Sequence, residues 1–292
     1  MATRKSTCVA VKSGWLLLVK ACCEAYYLYN AVTQEAISLP RKKIVREFGR
    51  SINDCFNYFE LSLTQERRGR GHFVVYQVDK HIDLKNLILI STWRSAEKGK
   101  WKTNKFELGE ELNLLSVKYV KKTLYCVFSN GTVHGFNDND MSLSVVVKSE
   151  NIPEKLCQDF TSGELRILEA KLVADLEAEE VFLVYPNNNW LVLRLDWSNN
   201  MWVEEMSLGW RVLFCFHKHF AKSDVSMLSN YGNFKGYICH RNAASPNFDC
   251  FPFIRGCHNN LNDHSNDGFK IRWPLHSPEH LMEAFWFHPP TI

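Results

Sequence analysis

Long apolar runs are missing from this 292-residue sequence. No stretch reaches the ~18 residues of a membrane helix, so no membrane partner is expected. A one-sided charge is missing too. The 35 Lys and Arg against 32 Asp and Glu leave a net charge of +3, too small to argue for nucleic acid. The start does not read as a secretory signal, because Lys12 and Ser13 break the apolar stretch and 15–19 is too short. The motifs G-x-S-x-G, P-loop and G-x-G-x-x-G are absent, so no cofactor and no catalytic residue is expected. Strand–helix alternation is also absent, which argues against a parallel α/β sheet. Low complexity is excluded by 46% hydrophobic and 23% charged residues, the balance of a globular chain.

What the sequence does have is aromatic residues, 13% with nine Trp, and ten scattered cysteines. Several cysteines sit inside apolar strand-like runs, such as Cys126 within 124–128 and Cys215 within 212–216. There they behave as small hydrophobes. Without an export signal they are expected to be reduced thiols of a cytoplasmic or nuclear protein.

Short strand patterns follow one another along the whole chain. Residues 123–128 and 132–136 flank Asn130-Gly131, where a type I′ hairpin turn wants positive φ. Leu115, Val117 and Tyr119 alternate ahead of it, Lys121-Lys122 make the next turn, and 143–147 supply a fourth strand. A second hairpin joins 181–185 to 190–195. Similar units recur over 14–48, 71–109, 112–150, 163–208, 210–258 and 268–292, at the 40–50-residue spacing of propeller blades. No unit carries a full kelch or WD40 signature. The reading is an all-β propeller of about six four-stranded antiparallel blades. Residues 1–13 would be a short tail and 14–292 a single domain. The first unit shows only three strands, so 285–288 at the C-terminus would supply its fourth and close the ring. Residues 55–61 fit a short helix or a strand, and Ser277-Pro278 would start a helix reaching Ala284.

Particular residues carry a resemblance. Gly14 to Leu18, Tyr27 to Asn30 and Ile37 to Pro40 resemble the opening "GWLLL … LxLxNPxTxExIxLP" of a plant F-box-associated family. It is called domain of unknown function 295, or the KIB-type β-propeller. Lys122 to Tyr125 with Gly131 to Val133 resemble its "gKLYaVd.nG.V" hairpin. Leu193 to Asp196, Trp202 to Glu204 and Ser207 to Phe214 resemble its "RLD … WxEVxSLGdrALFlG" stretch. Gly236 to Cys239 and Phe285 to Pro289 are similar to its "NxIYF" and "WhxPS" segments. The resemblance implies a kelch-related, protein-recognition propeller, the substrate-receptor module of a Skp–cullin–F-box ubiquitin ligase. Residues 1–13 do not match the helical F-box itself. Direct binding to a Skp-type adaptor is therefore not expected, and the partner is an unidentified protein. The rival readings are a carbohydrate-binding or enzymatic propeller and a decayed paralogue without function.

Candidate chemistry is thin. Cys239, His240, Cys250, Cys257, His258 and His264 crowd the last quarter, but not with the short paired spacing of a zinc site. Asn137 to Asp140 starts like an EF-hand loop. It then places Leu143 where Gly is required and Ser149 where Glu is required, so it reads as a polar turn. Arg41, Lys42, Lys43, Arg46 and Arg50, and Arg67, Arg68 and Arg70, read as solvated loops, with a nuclear address or phosphate contact as the alternative. His217 and His219 make no catalytic set. Four tryptophans, Trp190, Trp197, Trp202 and Trp210, fall close together. Trp202 matches a family strand and is expected in the core. Trp190 and Trp210 adjoin turns, and large aromatics at exposed turns are the side chains that anchor interfaces. They are the candidate partner contacts, with packing between blades as the alternative.

Overall fold

The computed structural model describes residues 7–12, 14–20, 25–41, 55–64, 72–81, 86–97, 100–151, 170–175, 179–185, 191–208, 212–216, 225–227, 237–241, 248–252 and 269–271. They form five sheets, ordered along the chain. The chain divides into two compact units. One is built on Met1–Leu112, the other on Asn113–Phe220 and Asp224–His276.

The first unit holds two four-stranded meanders. The first runs β1 (Thr7–Lys12), β2 (Trp15–Lys20), β3 (Ala25–Asn30) and β4 (Ala36–Ser38). The fourth strand missing from the sequence reading is thus β1, taken from residues read as a tail. Its alternation is hidden because the register with β2 slips between Cys8 and Ala10, and such a bulge breaks the period of two. Residues 285–288, expected to close this sheet, lie outside the described residues. The second meander runs β5 (Cys55–Thr64), β6 (His72–His81), β7 (Leu87–Arg94) and β8 (Lys102–Glu107). Residues 55–61 are therefore strand, as their aromatics allow.

One core joins the two meanders. Trp15, Leu17, Tyr26 and Leu28 pack with Phe59, Leu61, Phe73, Val75 and Trp93. The Trp15 ring stands edge-on to Phe73 at 4.6 Å, a favoured aromatic arrangement. The indole of Trp101 donates to the Pro40 carbonyl at 2.8 Å. The outer strand β8 is mostly exposed. Lys102 and Lys105 on it keep other strands from pairing with that edge.

The second unit holds three sheets. The third sheet is β9 (Leu114–Val120), β10 (Thr123–Phe128), β11 (Val133–Asn137) and β12 (Ser142–Val147). The fourth is β13 (Lys171–Asp175), β14 (Glu180–Tyr185), β15 (Leu191–Asp196) and β16 (Met201–Glu204). In the third sheet burial falls from β9, nearly all buried, to β12, half of whose residues are exposed. Leu115, Val127, Leu172, Leu183, Leu193 and Trp202 belong to the core that the two sheets share.

The turn chemistry differs from the sequence reading. Lys121 and Lys122 take φ of 50° and 61°, the two positive values of a type I′ turn. At Asn130-Gly131 only the glycine is left-handed, at φ 81°. Gly131 N–H donates to the Phe128 carbonyl at 2.8 Å and Phe128 N–H to the Thr132 carbonyl at 3.0 Å. This is a three-residue loop, a type I turn closed by a left-handed glycine. The Asn130 side chain accepts from the Thr132 amide and hydroxyl instead of entering the left-handed region itself.

Three of the last turns repeat one design. Asn30, Asn137 and Asp196 each close a third strand. Each accepts on its side-chain oxygen from the amide two residues on, at 2.9–3.0 Å. Four residues after each stands a left-handed residue, Gln34, Met141 or Asn200, at φ 60°, 57° and 52°. The Asx side chain replaces a backbone acceptor, so the chain reverses without losing its amides.

The fifth sheet breaks the meander. Its order is β18 (Val225–Met227), β17 (Val212–Phe216), β19 (Tyr237–Arg241), β20 (Phe248–Pro252) and β21 (Phe269–Ile271). β17 and β19 are parallel, a pairing that needs a crossover rather than a tight hairpin. The expected sixth unit over 268–292 gives β21 to this sheet. Its remainder, including the expected helix at Ser277, lies outside the described residues.

Candidate interaction surface

Trp190 and Trp210 both lie outside the described residues. The strands beside them fix where the chain leaves the fourth sheet. β14 and β16 run the same way, since each is antiparallel to β15. Tyr185 and Glu204 therefore end at one edge of the sheet, and both connections depart from it. Leu191 opens β15 there, opposite Tyr185.

That edge is braced. Arg194 Nε lies 2.5 Å from Glu205 Oε1. The hydrogen bond to Glu205, the largest influence, raises the guanidinium above its ordinary pKa. The Glu205 amide donates to the Val192 carbonyl at 2.9 Å. Just beyond it Met206 is 52% exposed. A fixed backbone carrying a soft, exposed side chain suits contact with another surface.

The other two tryptophans of the cluster join sheets. Trp202 is 1% exposed, and its indole donates to the Gly131 carbonyl at 3.1 Å. Trp197 is half-buried against Tyr125, with ring centroids 5.0 Å apart. Its indole donates to the Glu179 carbonyl at 3.1 Å. Lys121 Nζ sits 4.7 Å from its ring centroid and 3.9 Å from a Glu179 carboxylate oxygen. An ammonium over an indole is attracted by the negative ring face. The turn of the third sheet is thus clamped to the fourth, a role that sequence spacing alone does not reveal.

The remaining candidates are ordinary structure. Asp140 accepts from the Ser142 hydroxyl and amide, which hold its carboxyl below the usual pKa. Asn137 to Asp140 is a polar turn in which Asn137 accepts from the Asn139 amide and Asp140 from Ser142. Cys126 is wholly buried, and burial pushes its thiol up to about 12, so it acts as a small hydrophobe. Cys239 and His240 are successive residues of β19, and Cys250 belongs to β20. Cys257, His258, His264, His217, His219 and the basic residues beyond Arg41 lie outside the described residues. No helix among the described residues is long and apolar enough to cross a membrane.

Five successive sheets, with the most buried strand first in the third of them, define the class as an all-β propeller. The chain belongs to the KIB1-4 beta-propeller family, whose model matches residues 2–239. No curated protein matches the sequence. Among solved structures, the chain is similar to the WD40 domain of SCAP from fission yeast, at 10% identity and a TM-score of 0.39. That match covers 85% of this chain and 51% of the other, so the chain spans about half the length of that relative. It is also similar to the Malassezia sympodialis allergen Mala s 1, at 11% identity and a TM-score of 0.43, covering 85% and 73%. A streptogramin B lyase matches at 6% identity and a TM-score of 0.41, covering 97% and 86%.

Proposed function

We propose that this chain is a non-catalytic protein-recognition propeller of the plant F-box-associated type. Its role would be that of a substrate-binding module of ubiquitin-ligase receptors, in the cytoplasm or nucleus. The observation that carries this reading is the family match across residues 2–239. The recognition surface in this reading is the edge at Glu204 to Ser207, where Met206 is exposed, and Trp190 and Trp210, which belong to the connections leaving it, are the candidate anchors. Aromatic anchors beside a rigid backbone concentrate binding energy in few residues.

Proximity labelling in plant cells tests it, with the intact chain and a Trp190→Ala/Trp210→Ala variant of equal melting temperature. The expected result is a reproducible set of neighbours that the variant loses, and whose turnover changes when the chain is depleted. A neighbour set indifferent to both substitutions rules out this edge. Neighbours with unaltered turnover rule out the ligase role.

A further inference from the structure

Two cysteines far apart in spacing terms, eleven positions in sequence, become direct partners in the fifth sheet. In the antiparallel β19–β20 pair Cys239 stands opposite Cys250, flanked by Ile238 opposite Phe251 and His240 opposite Asp249. Each is the third residue of a five-residue strand, so the pair lies mid-ladder and not at a fraying end. Directly opposed residues share a sheet face. Their Cα atoms are about 4.5–5.5 Å apart, inside the ~4.4–6.8 Å that a disulfide spans. A third cysteine of the sheet is excluded. Cys215 is in register with His240, while Phe214 is the partner of Cys239.

We infer that Cys239 and Cys250 form a redox couple, a dithiol in a reducing compartment that hydrogen peroxide converts to a cross-strand disulfide. The Cys239 thiolate, or that of Cys250, attacks the peroxide oxygen; the O–O bond breaks, and the first thiol becomes a sulfenic acid as water leaves. The second thiolate attacks that sulfur and displaces hydroxide, which takes up a proton as a second water. Two thiols lose two electrons and two protons, and one peroxide becomes two waters. Thiol reductants reverse the step. The bond fixes the β19–β20 register and closes the connection 242–247 into a covalent loop.

Trypsin separates the two thiols cleanly. Cuts after Lys235, Arg241 and Arg255 leave peptides 236–241 and 242–255 with one cysteine each. The folded, full chain is treated with hydrogen peroxide, alkylated without reductant, digested and weighed. The expected product is the two peptides joined, at their summed mass less two hydrogens, and separated again by dithiothreitol. It should form at least tenfold faster than in urea-denatured chain. Cys239→Ser should abolish it and leave Cys250 open to oxidation to the sulfenic acid or beyond. Recovery of both peptides singly, or equal linkage to other cysteines, overturns the inference. So does a rate unchanged by denaturation.

Discussion

The indole N–H of Trp202 donates to the backbone carbonyl of Gly131 at 3.1 Å. This bond crosses from the outer strand of the fourth sheet to a hairpin loop of the third. The residues are 71 positions apart in sequence, and both are buried.

The bond and the packing around it separate by substitution. Trp202→Phe keeps an aromatic ring but leaves the Gly131 carbonyl without this donor, at a cost of about 1–3 kcal/mol. Trp202→Ala also leaves a large cavity and should cost about 3–5 kcal/mol. Urea unfolding of both variants checks the order. A Trp202→Phe variant as stable as the native chain would mean the hydrogen bond contributes nothing.

Two glycines should respond oppositely to alanine. A methyl group at Gly135 would meet Val146 Cγ2 at 3.0 Å and Thr123 Cγ2 at 3.1 Å. Both neighbours are β-branched and stiff at χ1, so they cannot swing aside. Gly135→Ala should destabilise by about 1–3 kcal/mol. At Gly109 nothing lies within 4 Å. Gly109→Ala should be neutral or stabilise by about 0.4–1 kcal/mol, through the unfolded chain. Thermal melts that rank the two the other way would contradict this packing.

Lys80 gives an alkaline signature. It is 3% exposed and donates to the Leu87 carbonyl at 3.1 Å. Burial lowers its pKa from 10.5 to about 8, against an opposing pull from Glu111. Between those values the unfolded chain binds more protons than the folded one, so this group makes stability rise with pH. Below pH 8 both states are charged and its contribution is flat. The gain across the window is a few kcal/mol at most. Relative to Lys80→Met, the native chain should gain melting temperature from pH 7 to pH 9.5. A pH-independent difference between the two would place the charge in solvent.

The meanders were legible in sequence wherever alternation and turn residues agreed, as in β9 to β12 and in the β14–β15 hairpin. Legibility failed where one signal overrode another. β1 hides its period behind a bulge at Cys8. Asn130-Gly131 has type I′ composition, yet the Asn130 side chain is drawn to Thr132 and only the glycine turns left-handed. Two lysines make the type I′ turn instead, and one of them is held by Trp197 and Glu179. Those holding contacts come from another sheet and leave no local mark. The parallel pairing of β17 with β19 is equally silent, because partner choice across a crossover is not written in either strand.

The repeated Asx turn bears on which stretches of the chain are free to vary. Its path is set at two points, the Asn or Asp that opens it and the left-handed residue four positions on. Between those points stand Ala31-Val32-Thr33, Asp138-Asn139-Asp140 and Trp197-Ser198-Asn199, with no residue type repeated at any matching position. One triplet is largely apolar, one is polar and acidic, and one is led by an indole. Trp197 apart, which clamps two sheets, the surface chemistry at that end of the strands can therefore drift while the strands on either side keep their register, without the sheets having to be refolded.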